Sequence, residues 1–88
     1  MTARPDAPRR RAVVADDEPH IRRVLATLLE SADFEVEAFA NGRLALERLR
    51  ADEPVDIVVT DLMMPEMDGL ALLSEVRSLP GHEDLPVL

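Results

Sequence analysis

The sequence contains no cysteine and no lysine. Without cysteine, neither a disulfide framework nor a thiolate metal site can form. All ten basic residues are therefore arginine, a skew that a GC-rich genome would produce and that by itself says nothing about chemistry. No apolar run approaches the roughly 20 residues needed to span a bilayer. The N-terminal arginines are followed by no apolar stretch, so they do not open a signal peptide. A cytoplasmic protein is the expectation. Positive charge is scarce as well: the net charge is -8. That balance argues against general nucleic-acid binding, which needs a basic face, and against docking on an anionic membrane. At 88 residues the chain has room for one domain, which would bury only about 60–65% of its unfolded surface. The apolar fraction of 47% and charged fraction of 32% are those of an ordinary soluble domain.

What is present has a clear order. Residues 1–10 carry Pro5, Pro8 and three of the arginines with no apolar periodicity. They read as a flexible basic tail or an arm that touches a partner. Residues 11–15 are a short β-rich run. Pro19 sits where a first helical turn accepts it, and Ile21, Val24, Leu25, Leu28, Leu29 and Ala32 continue at helical spacing. Phe34, Val36 and Ala38 alternate with Glu35 and Glu37, the period of a half-exposed edge strand. Asn41-Gly42 breaks the chain and is placed to cap a helix over Leu44, Ala45, Leu46 and Leu49, ending near Ala51. The third strand, 55–60, is nearly all apolar, as a strand covered on both faces must be. Leu70, Leu72, Leu73, Val76 and Leu79 form a third helix that Pro80-Gly81 stops, and 85–88 opens a fourth strand. Strands alternating with helices over short connections predict an α/β domain with a parallel sheet and right-handed crossovers.

Two of these strands end in acid. Ala12-Val13-Val14-Ala15 runs into Asp16-Asp17, and the third strand runs into Asp61. Ligands of open α/β sheets bind at the carboxyl ends of the strands. Three carboxylates converging there repel one another, which raises their proton affinity unless a cation joins them. Mg2+, a hard ion that takes few carboxylates and coordinates phosphate oxygens, suits such a rim. A carboxylate beside it can attack a phosphoryl group. On spacing alone another role stands equally open: Asp16 and Asp17 as caps of the first helix, with Asp61 simply ending a strand.

Val13-Val14-Ala15-Asp16-Asp17-Glu18-Pro19 and Asp61-Leu62-Met63-Met64-Pro65-Glu66-Met67-Asp68-Gly69 resemble the two signature segments of response-regulator receiver domains, and the distance between them matches as well. The resemblance covers residues 11–88. It implies a flavodoxin-like doubly wound parallel sheet, incomplete here, with three βα units and the start of a fourth strand. It implies that Asp61 accepts phosphate from a sensor histidine kinase in a two-component phosphorelay, that Asp17 holds Mg2+ directly and Asp16 through water, and that the Met63 backbone carbonyl completes the metal site. Asp61 is itself a metal ligand in that scheme. Pro65 and Gly69 would shape the loop, and Asp68 would cap the third helix. The chain would act as a phosphoacceptor and not as an enzyme.

The same resemblance marks a departure. Receiver domains have five βα units, and two of their residues, a Ser or Thr after the fourth strand and a Lys after the fifth, have no counterpart among these residues. The expectation is a fragment of a longer response regulator, with an exposed sheet edge prone to homodimerisation or aggregation. Weak Mg2+ binding should survive better than a phosphorylation-dependent switch. A phosphorylation-independent protein-binding module is the other reading of such a chain. A Mg2+-dependent phosphatase with an aspartyl nucleophile is disfavoured, because Met63 stands where that class places a second Asp. His20 and His82 read as surface histidines, and Met64 and Met67 as packing residues.

Overall fold

The computed structural model of the chain describes residues 10–51, 53–62, 64 and 67–88. The elements run β1 (Arg10–Ala15), α1 (Pro19–Ser31), β2 (Phe34–Phe39), α2 (Gly42–Leu49), β3 (Ile57–Thr60) and α3 (Gly69–Arg77). Of the expected tail, residues 1–9 lie outside the described set, and Arg10 already belongs to β1. Both strand pairings are parallel and the sheet order is β2-β1-β3, the doubly wound α/β arrangement that the strand–helix alternation predicts. The opening of a fourth strand is also present. Val87 bridges Val58 in parallel, with Val58 N donating to Pro86 O at 2.9 Å and Leu88 N to Val58 O at 2.8 Å. Among the described residues no helix is long and apolar enough to cross a membrane.

Central position explains why β1 reads as continuous apolar sequence. Ala12 through Ala15 are all fully buried, as a strand flanked by two others and covered on both faces requires. Across the register Val13 is paired with Glu37 on one side and Val58 on the other. Val13, Ala15 and Val58 share one face, where they pack with Ala45, Leu46 and Leu49 of α2, Leu72 and Val76 of α3, and Leu85. α1 lies against β1 and β2 on the opposite face.

On that opposite face the α1 stripe is only partly covered. No residue of α1 is buried, and Ile21, Val24 and Leu28 are 43%, 42% and 62% exposed. Among the described residues the helix packs mainly on β2 and β1, and part of its apolar stripe stays uncovered. Ile57 and Val59, on the β3 part of that face, are only partly covered. Burial is therefore lopsided, with the α2–α3 side carrying the tight core.

One polar device belongs to that side. Glu37 points from the edge strand towards α2, where Arg48 Nε donates to both carboxylate oxygens at 2.8 and 2.9 Å. Arg48 Nη1 donates to the Glu53 carbonyl at 3.2 Å, and its side chain is only 8% exposed. Nη2 has no hydrogen-bond partner and faces Glu53 Oε1 at ion-pair distance, 3.7 Å. The hydrogen bond from Arg48 holds the Glu37 carboxyl below its ordinary value of 4.5, against the opposing effect of burial. A carboxyl whose pKa is lower folded than unfolded stabilises the fold above its unfolded value, and that contribution disappears as pH falls through the folded one.

Two outcomes are expected of the 88-residue chain. Leu72→Ala should lower stability by about 2–5 kcal/mol, whereas Leu28→Ala should change it by less than about 0.5 kcal/mol, both from denaturant curves followed by far-UV circular dichroism. In the same assay Glu37→Gln should flatten the loss of stability on acidification below about pH 4.5. An acid limb as steep as that of the unsubstituted chain would show that the ion pair contributes nothing.

Candidate functional site: an acidic rim at the ends of β1 and β3

The rim follows from the register. Ala15 is paired with Thr60, so Asp16 and Asp61 are the next residues beyond the paired strands. Asp61 N donates to the Ala15 carbonyl at 2.9 Å and Asp16 N to the Phe39 carbonyl at 3.1 Å, so the ladder extends one residue into the site. The chain leaves β1 towards β2 and leaves β3 in the other direction. This is the topological switch point at which doubly wound sheets open a crevice. There one carboxylate oxygen from each of Asp16, Asp17 and Asp61 lies within 4.8 Å of the others. Asp16 is buried, Asp61 half-buried and Asp17 exposed.

Local hydrogen bonds hold the β1 side. Asp16 Oδ1 accepts from Glu18 N at 2.9 Å. Arg22 Nη1 donates to the Asp16 carbonyl at 2.8 Å. The cap of α1 is neither aspartate but Glu18, whose carboxylate accepts from His20 N at 2.9 Å and Ile21 N at 3.2 Å. Of the two roles open to Asp16 and Asp17, capping is thus taken by their neighbour. Sequence reasoning passed over Glu18 because glutamate is not a favoured cap residue. It passed over Arg22 because a bond to a main-chain carbonyl six positions back leaves no pattern.

Glycines hold the β3 side. Gly69 N donates to the Leu62 carbonyl at 3.0 Å, and a side-chain carbon built on Gly69 would overlap the Asp61 carbonyl oxygen. One built on Gly42 would overlap the Met67 carbonyl oxygen, so the start of α2 presses on the loop before α3. The expected caps are in place: Asn41 Oδ1 accepts from Leu44 N and Asp68 Oδ1 from Ala71 N, each at 2.9 Å. Met63 and Pro65, the other expected contributors, lie outside the described residues. Met64 and Met67 pack against the core. His82 follows α3, at the opposite end of the sheet. Its Nδ1 lies 3.3 Å from the Pro80 carbonyl oxygen, and its Nε2 is buried without a hydrogen-bond partner, so it is less exposed than a surface histidine.

The donor set is all oxygen, which selects hard divalent cations. Oxygens bound to one Mg2+ at 2.0–2.1 Å sit at most about 4 Å apart. A cluster within 4.8 Å therefore fits an ion that takes some carboxylates directly and reaches another through water.

A parallel α/β sheet with an acidic cluster at its switch point offers an oxygen-lined crevice for a cation and an anionic ligand, and nearly all of the described sheet matches one family. Residues 12–88 match the response regulator receiver domain, and the chain belongs to that family. It is thus a two-component receiver domain, a non-enzymatic module. It is 44% identical over 63 residues to the response regulator receiver protein CpdR of Brucella abortus, a match covering 72% of this chain and 52% of CpdR. The chemotaxis protein CheY4 of Vibrio cholerae superposes with a TM-score of 0.84 at 29% identity, over 91% of this chain and 66% of that one. The response regulator TrrA of Thermotoga maritima, solved in complex with Mg2+-BeF, gives a TM-score of 0.72 at 35% identity, over 77% of this chain and 58% of that one. The chain spans about half the length of CpdR.

Replacing Gly69 by alanine tests the packing of the rim. Gly69→Ala is expected to cost about 1–3 kcal/mol through overpacking and to shift the Asp61 and Leu62 amide resonances beyond those of α2. Unchanged stability and shifts would show that the approach is not tight.

Proposed function

We propose that this receiver domain takes a phosphoryl group on Asp61 from a phosphohistidine of a sensor kinase. The observation that carries the reading is the convergence of carboxylates from two strand ends at the switch point of the sheet. Asp61 stands at the end of β3, fixed through its amide to Ala15, which orients the nucleophile with little freedom to lose. An Asp61 oxygen forms the new bond to phosphorus as the phosphorus–nitrogen bond of the donor breaks, and the departing imidazole takes a proton from solvent. Asp17 and Asp61 would hold Mg2+ directly and Asp16 through water, together with the Met63 carbonyl. When bound, the ion neutralises charge on the transferring group. That TrrA was solved with Mg2+-BeF supports the choice of cation. Asp16, buried and already bonded to Glu18 N, fixes the metal side of the pocket rather than the attacking side.

Incubation with radiolabelled acetyl phosphate and Mg2+ should label the chain with an alkali-labile acyl phosphate. Asp61→Asn or excess chelator should remove at least about nine-tenths of the label, since the one nucleophile and its electrostatic support are then gone. Label that persists in Asp61→Asn would place the chemistry elsewhere.

A further inference from the structure

Arg22 is a cation placed beside a cluster that should attract cations. It lies in the first turns of α1 and its guanidinium donates from Nη1 to the main-chain carbonyl of Asp16 at 2.8 Å. The side chain of Asp16 belongs to the acidic rim, whose carboxylate oxygens lie within 4.8 Å of one another. A positive charge so near would by Coulomb's law alone weaken the binding of a divalent cation.

The hydrogen bonds argue the opposite. Asp16 is gripped at three points: its amide by the Phe39 carbonyl, its carbonyl by Arg22 and its Oδ1 by Glu18 N. Two of these lie close to the sheet or within two residues. Arg22 ties the turn between β1 and α1 back from further along the helix. Asp16 is 6% exposed, so water has little room to replace the guanidinium at its carbonyl. Without that bond the turn carrying Asp16 and Asp17 would lose its fixed direction relative to Asp61.

We infer that Arg22 is a positioning residue for the divalent-cation site: it holds the Asp16–Asp17 turn in register with Asp61, and this effect outweighs the repulsion its charge exerts on the ion. The inference rests on the metal-binding reading proposed above. The two contributions have opposite signs, so one titration separates them. Arg23, the next residue of the same helix, is exposed and supplies a control in which the same formal charge is lost.

The test is Mg2+ binding to the 88-residue chain, followed by calorimetry and by amide resonances, because the chain has no tryptophan or tyrosine to report by fluorescence. Arg22→Ala should weaken Mg2+ about tenfold, the usual loss when a group that orients a ligand is removed. Arg23→Ala should bind as tightly as the unsubstituted chain or slightly more tightly. Arg22→Ala binding as tightly as the unsubstituted chain, or more tightly, overturns the inference and leaves the site reading intact. If Arg22→Ala does not fold, Arg22→Lys decides. That variant keeps the charge and loses the guanidinium fork, so binding about threefold weaker or more supports positioning, and unchanged binding refutes it. No saturable Mg2+ binding by the unsubstituted chain, with the same null result for Asp17→Asn, overturns the site reading itself and this inference with it.

Discussion

The parallel pairing of β1 with β3 is the constraint on which the rest of this molecule depends. It sets Ala15 opposite Thr60, and so sets Asp16 beside Asp61. A slip of one residue would turn every side chain of β3 to the other face, breaking the core and dispersing the carboxylates together. Fold and site are therefore specified by the same hydrogen bonds. The apolar residues Val13 and Val58, buried beneath the rim, fix the register that the acidic residues use.

Concentrating negative charge at one edge opposes folding, and the structure shows how the rim is contained. The Glu18 amide donates to Asp16 Oδ1, and Asp61 is anchored by its own amide, which donates to the Ala15 carbonyl. Glycines let Asp61 and Met67 be approached more closely than any side chain would allow. Arg22 reaches the Asp16 carbonyl, and Glu18 takes over the helix cap. With the cap supplied by its neighbour, Asp17 is left exposed at the mouth. Away from the rim the Glu37–Arg48 pair fastens α2 to the edge strand.

Much of this was legible in the sequence, for physical reasons. Strand–helix alternation, Pro19 at a helix start, the caps at Asn41 and Asp68, and acid following apolar runs are local signals, and each is realised in the fold. The two signature segments made the family readable from residues alone. Coverage and register are not local, and there the reading was incomplete. The α1 stripe marks an apolar face, but how much of it is covered, with Leu28 62% exposed, depends on which elements pack beside the helix. The run 55–60 predicts the third strand, whose paired residues begin at Ile57: Asp56 N still donates to the Arg11 carbonyl at 2.8 Å, but the Arg11 amide is taken by the Asp56 carboxylate at 2.7 Å. Glu18, Arg22 and the approach of Gly42 to Met67 depend on how β1, α1 and α2 meet in space.

The central claim is that a single acidic rim binds both the cation and the phosphoryl group. Amide resonances recorded during addition of Mg2+ and then beryllofluoride, a stable stand-in for a phosphoryl group, test it most directly. The account predicts saturable shifts centred on Asp16, Asp17, Asp61 and Leu62 that require Mg2+ and vanish in Asp61→Asn. Shifts spread over the surface acidic residues, or beryllofluoride binding that survives loss of Asp61, would contradict it.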